Sequence, residues 1–146
     1  MKVRKAVIPS AGYGTRFLPA TRSVPKMLLP VLDTPALHFA VQEAVDARIE
    51  HVVIVMSPQH EAIPAYFRRT PELEETLGRS GKDDVRRRMV AISEMAEITY
   101  VSQPEPLGLG HAVLSAKEAV GDEPFAVFLP DDLIEDETPT IGQMIE

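Results

Sequence analysis

Lys5 to Pro30 reads KAVIPSAGYGTRFLPATRSVPKMLLP. Ala6, Val7 and Ile8 are apolar in succession rather than in alternation, which predicts a strand buried on both faces, as in a parallel sheet. A long connection runs from Ser10 to about Thr34, with a Gly12-Tyr13-Gly14-Thr15-Arg16 turn, prolines at 19, 25 and 30, and the cations Arg16, Arg22 and Lys26. A connection of this length in a compact domain is either disordered or functional, and the apolar Phe17, Leu18, Val24, Met27, Leu28 and Leu29 argue against disorder. It reads as an anion-binding loop.

Outward from this loop, Thr34-Pro35 predicts a cap and first helical position for a helix running from Ala36 to Ala47, with Leu37, Val41, Ala44 and Val45 inward. His51 to Met56, HVVIVM, is a second buried strand, so the segment is a βαβ unit. Helices are expected over Gln59 to Phe67, after Thr70-Pro71 as far as Gly78, and over Asp83 to Ala96. In the last of these, Val85, Met89, Ile92 and Ala96 share one face and Arg86 to Arg88 point outward. Ile98 to Ser102 predicts a third strand and Gln103 to Gly110 a connection. A helix over His111 to Val120 comes next, with Val113, Ala116 and Val120 inward. Phe125 to Leu129 is a fourth strand, Pro130-Asp131-Asp132 lies beyond its carboxyl end, and a last helix begins after Thr138-Pro139. Alternating strands and helices predict an α/β fold with a Rossmann-like, doubly wound, mainly parallel sheet. Ligands of such sheets bind beyond the carboxyl ends of the strands, where three unusual loops are expected to converge: 10–34, 103–110 and 130–132.

The chain of 146 residues is one domain by size, with a net charge of -7. Residues 1–32 carry six basic side chains and no acid, so the acidic excess belongs wholly to the remainder. An acidic protein with one cationic loop suits a small polyanion such as a nucleotide phosphate and disfavours nucleic acid, which needs an extended basic face. No apolar run is long enough to span a membrane, and the run after Lys5 is too short for a signal peptide, so a cytoplasmic location is expected. The absence of cysteine excludes disulfides and thiol catalysis.

The glycine pair 12 and 14 fails the dinucleotide fingerprint, whose third glycine position is Phe17, and no Gly-Lys-Ser/Thr completes a Walker loop. Alone the pair is equally a tight turn; beside Arg16 and Lys26, backbone N–H groups and two cations can together receive phosphate oxygens. Asp131, taken singly, is either a turn residue or a metal ligand, and His111 either packs or touches ligand. His38, His51 and His60 have no mutual metal-ligand spacing and are expected at the surface or its boundary.

Together, Gly12-x-Gly14-Thr15-Arg16-x-Leu18-Pro19-x-Thr21, Pro25-Lys26-x-x-Leu29-Pro30, Gln103 with Gly108-Leu109-Gly110-His111-Ala112, Gly121-Asp122-Glu123-Pro124 and Pro130-Asp131 resemble the sugar-phosphate nucleotidyltransferases, the uridylyltransferase branch most closely. The resemblance covers essentially the whole chain but only about half the family's usual length. It implies a reaction of UTP with glucose 1-phosphate giving UDP-glucose and pyrophosphate, with Mg²⁺ as cofactor, in a homo-oligomer. It implies that Arg16 and Lys26 act catalytically on the phosphates. Ala11, Gly12, Gly14, Thr15, Gln103, Gly108 and His111 would bind the nucleotide, and Asp131 the metal. Residues 1–146 would then be the N-terminal nucleotide-binding portion of the domain, the sugar-binding half being absent, and transfer by this chain alone is not expected.

Two positions depart from the pattern. Met27 succeeds Lys26 where the family carries Glu, and Leu107 stands where lysine is common; neither supplies the polar group it replaces. A non-catalytic nucleotide-binding homologue or regulatory partner, and a dTTP-using thymidylyltransferase-like enzyme, are the alternative readings.

Overall fold

The computed structural model describes residues 2–146. Strand β1 (Lys5–Pro9) leads into the long loop, which is organised by three short 3-10 turns and a two-residue hairpin, β2 (Pro30–Val31) with β3 (Thr34–Pro35). Then come α1 (Ala36–Asp46), β4 (His51–Met56), α2 (Ala62–Phe67), α3 (Pro71–Arg79) and α4 (Asp83–Glu94). The chain closes with β5 (Glu97–Ser102), α5 (Leu109–Ser115), α6 (Lys117–Val120), β6 (Phe125–Val127) and α7 (Thr140–Ile145).

The main sheet has the order β5-β4-β1-β6, and every pair is parallel. All four carboxyl ends therefore lie along one edge, as the continuous apolar runs predicted. Lys5 pairs with His51 on one side and Phe125 on the other, which places the reversal of strand order at β1. Alternate side chains of the central strands feed two cores. Ala6, Ile8, Val52, Ile54 and Met56 pack against Leu37, Ala40, Val41 and Ala44 of α1, with Ile63, Phe67 and Ile141. Val7, Val53 and Val55 pack on the other face against Ala112, Ala116 and Val120. The sheet is thus covered on both sides.

Several boundaries differ from expectation. Pro35 does not open α1; it pairs with Pro30, and Ala36 is the first helical residue. The Thr34 hydroxyl bonds Asp33 at 2.9 Å rather than capping the helix. Within α1 it is Ala40, not Val45, that is buried. Helix α2 begins at Ala62, and the predicted helix from His111 begins at Leu109 and breaks at Ala116 into α5 and α6, burying Ala112 rather than Val113. Helix α4 buries none of its residues fully and leaves Val85 41% exposed, so its apolar stripe only rests on the core edge. Strand β6 ends at Val127, although the Phe128 amide still donates to the Val7 carbonyl at 3.0 Å.

One exception to the apolar interior is Glu74 of α3, 7% exposed. Arg69 donates to both its oxygens, Nε at 2.7 Å and Nη2 at 2.5 Å, and the Thr70 amide adds a bond of 3.3 Å. The Arg69 hydrogen bonds hold its carboxyl below the ordinary glutamate value. A depressed folded-state value means the stabilisation is complete above the unfolded glutamate range, roughly pH 4.3, and disappears as pH falls through the folded value. Urea denaturation of wild type and Glu74→Gln should accordingly show a stability gap that is constant from neutrality to about pH 5 and closes in more acid solution. A gap independent of pH would show that shape, not charge, is what Glu74 contributes.

Candidate functional site

The site is built where the strand order reverses. β1 has β4 on one side and β6 on the other, and the loops leaving the carboxyl ends of β1 and β6 diverge around a crevice, the position at which doubly wound sheets take ligands. From the β1 loop comes Lys26; from the β6 end comes Asp131. Lys26 Nζ donates to Asp131 Oδ2 at 2.7 Å, across 105 positions of sequence. The lysine is 23% exposed and the carboxylate 48%. The Lys26 hydrogen bond is the main cause that holds the Asp131 carboxyl below the ordinary aspartate range, and the charge of Arg16 adds to it. Asp131 is therefore ionised at neutral pH and already faces a cation.

The loop is shaped to present Lys26. Gly14 adopts φ 60°, and a Cβ placed on it would lie 2.9 Å from both Lys26 Cβ and Thr21 Cγ2. The Thr21 hydroxyl donates to the Gly14 carbonyl at 2.7 Å, which closes this turn onto the lysine. The Phe17 ring lies under the ammonium, 5.5 Å from centroid to Nζ, at cation–π distance. Gly12, Gly14, Thr15, Arg16, Phe17, Lys26 and Met27 line one shallow depression. Ala11, just before the turn, is buried, while Gly12, Thr15 and Arg16 are exposed and open to a ligand. Met27 is partly buried and also packs against the apolar core.

The β5 end supplies a separate polar group. Gln103 is 4% exposed, its amide N–H donating to the Met56 carbonyl at 2.8 Å, and its side-chain Nε2 lies 2.8 Å from His111 Nδ1 and 3.4 Å from the Gly108 carbonyl. Gly108 has φ 98°, a conformation that other residues rarely adopt. The predicted residues thus fall into two groups on one sheet edge: Lys26, Asp131, Arg16 and the glycine turn at β1 and β6, and Gln103, Gly108 and His111 at β5. No hydrogen bond joins the groups among the described residues.

Sequence reading missed two buried polar side chains. Ser10, 3% exposed, and His60 have Oγ and Nδ1 buried without a partner among the described residues, and Ser57, which follows β4 as Ser10 follows β1, is buried too. A polar residue directly after a buried apolar strand was the available signal, since an unpaired buried hydroxyl is costly. Larger hollows lie between α1, α2 and α4, and against residues 133–139, but neither collects the carboxyl ends of the strands.

The Nucleotidyl transferase profile matches residues 5–146, essentially the whole chain. This chain belongs to the nucleotidyl transferase family. It is 48% identical over 145 residues to a UTP–glucose-1-phosphate uridylyltransferase of Bacillus subtilis, covering 99% of this chain and 50% of that protein. A second B. subtilis protein, the uridylyltransferase YngB, is 49% identical over the same length and is also covered to 49%. Among solved structures, a UTP-bound UDP-glucose pyrophosphorylase of Acinetobacter baumannii superposes with a TM-score of 0.89 at 47% identity, over 94% of this chain and 49% of that one. The chain spans about half the length of the relatives it matches. A nucleotidyl transferase must handle phosphates, and the charge arrangement is consistent with that.

The donor set at Asp131 can be tested against a metal. Among the described residues no three carboxylate or imidazole groups come together. One ionised, half-exposed carboxylate with a lysine ammonium standing on it fits an ion that takes its other ligands from phosphates and waters, as Mg²⁺ does.

None of the described helices is long and apolar enough to cross a membrane.

Proposed function

We propose that this chain forms the nucleotide-binding portion of a uridylyltransferase that makes UDP-glucose and pyrophosphate from UTP and glucose 1-phosphate. The observation that carries the reading is the meeting of Lys26 and Asp131 at the reversal of strand order, in a chain whose relatives include a UTP-bound pyrophosphorylase. In the transfer, a phosphate oxygen of glucose 1-phosphate bonds to the α-phosphorus of UTP. The bond from that phosphorus to the oxygen bridging to the β-phosphorus breaks, and pyrophosphate departs with the bridging oxygen.

Lys26, released from Asp131, places its ammonium on the α-phosphate oxygens, where negative charge must be held as attacking and leaving oxygens pass in line. Arg16 steadies the β- and γ-phosphates that become the leaving group, and the backbone N–H groups of Gly12, Gly14 and Thr15 receive phosphate oxygens in the turn. Gln103, with Ala11 and Gly108, borders the base. Asp131 would hold Mg²⁺, which when bound supplies neutralisation of the phosphate oxygens. The sugar subsite lies in a further portion of the domain, and the working protein is a cytoplasmic homo-oligomer.

Isothermal titration of UTP into the chain tests the reading. Saturable binding that strengthens when Mg²⁺ is added is the expected result, because an ion held on Asp131 would neutralise the phosphate oxygens that Lys26 and Arg16 also face. Absence of binding in both conditions would sink the proposal.

A further inference from the structure

His111 and Gln103 form a pair whose chemistry reaches beyond packing. The Gln103 amide nitrogen is placed by two acceptors. The Gly108 carbonyl, 3.4 Å away, can only accept, so the NH₂ end of the amide belongs on its side. His111 Nδ1, 2.8 Å away, then must be the unprotonated ring nitrogen, leaving the proton on Nε2. Both amide protons are committed. The remaining group, Oε1, has no protein partner among the described residues and is not shut off from solvent, although the residue as a whole is 4% exposed.

We propose that His111 is a positioning residue for base selection: by accepting from Gln103 Nε2 it turns Oε1 toward the nucleobase. This rests on the proposed function, in which Gln103 borders the base. An oxygen that can only accept requires a ring nitrogen that carries a proton. The imide N3–H of uracil or thymine meets it with a hydrogen bond, whereas cytosine offers a lone pair at N3 and sets two acceptors against each other. Without His111 the amide has a single weak contact to hold its orientation, and rotation about the last side-chain bond would exchange NH₂ for oxygen. The rotated amide donates, and cytosine then fits. Selection between uridine and cytidine nucleotides is thus assigned to a histidine that touches neither.

Titrations of UTP and CTP into wild type, His111→Asn, His111→Leu and Gln103→Leu, each confirmed as folded by thermal melting, test the assignment. Wild type should prefer UTP by roughly tenfold to a hundredfold, the range expected when a hydrogen bond in a desolvated site is replaced by an unpaired group. His111→Asn keeps an acceptor near the Nδ1 position and should retain most of that preference. His111→Leu should bring the ratio close to one, chiefly by strengthening CTP. A His111→Leu ratio equal to wild type, with both nucleotides weakened alike, would assign the residue to packing and overturn the proposal. So would a nitrogen-15 spectrum of His111 showing the proton on Nδ1. If Gln103→Leu itself leaves the ratio unchanged, the base is read elsewhere and the placement of Gln103 is what fails. A wild type that binds neither nucleotide removes both.

Discussion

Lys26→Ala is expected to lower UTP affinity by roughly ten- to a hundredfold, the loss typical when a charge-assisted hydrogen bond to phosphate is removed. The same substitution should act in the opposite direction on metal. In the free protein Lys26 stands on Asp131 at 2.7 Å, so an entering ion must displace it. With alanine in its place the carboxylate loses a competitor, and Mn²⁺ affinity measured by electron paramagnetic resonance without nucleotide should rise several-fold by simple competition. Opposite signs for nucleotide and metal separate this account from general damage to the loop, which would weaken both. Equal UTP affinity in wild type and variant would remove Lys26 from the site. Lys26→Arg is not expected to restore full function, since a planar fork replaces a compact ammonium in a place bounded by the Phe17 ring and the Gly14 turn.

Gly14→Ala should be the most damaging of the small substitutions in this loop. At φ 60° an L-residue bears about 1–2 kcal/mol of left-handed strain, and the new methyl would sit 2.9 Å from both Lys26 Cβ and Thr21 Cγ2. Overpacking of that kind costs typically another 1–3 kcal/mol. For a domain of this size the sum corresponds to a fall in Tm on the order of 10 °C. Gly12→Ala is the matched control: nothing lies within 4 Å of its added Cβ and its φ is not positive, so Tm should barely move. Scanning calorimetry of the two variants decides the matter. Equal melting temperatures would mean that the turn opens at no cost and does not hold Lys26 in place.

The legible parts of this molecule were those in which one physical signal acted alone. Lys5–Pro9 and His51–Met56 are uninterrupted apolar runs because both faces of a central parallel strand are buried, and they stand where the runs placed them. Helix starts were less legible because several signals compete there. Thr34-Pro35 has the chemistry of a cap, yet the hairpin with Pro30-Val31 claims it first, and the loop's own tertiary closure decides. Similarly, Val45 and Val113 lost their inward positions to Ala40 and Ala112, because the buried stripes run 37, 40, 41, 44 and 112, 116, 120, and helix rotation rather than side-chain hydrophobicity sets which residue faces the sheet. In the site, charge was readable and orientation was not. Arg16, Lys26 and Asp131 announce themselves by type and by neighbouring glycines, but nothing in the chain says that Lys26 and Asp131 touch or that His111 faces Gln103. Ser10 and His60 escaped because single polar residues after a strand carry little signal until their burial is known.

The pairing of β1 with β6 joins Lys5 to Phe125, the widest register step in the sheet. Closure entropy grows only slowly with the length of the stretch closed, so what matters here is that the strand closing it has only three residues. β6 is an edge strand whose one neighbour in the sheet is β1, and it is the one that brings Asp131 to Lys26. A ligand bridging those two residues would therefore act as a fastener as well as a substrate. By linkage, a ligand that binds only while β6 is docked adds its binding free energy to the docking of β6, so occupancy of the site tightens the edge of the sheet.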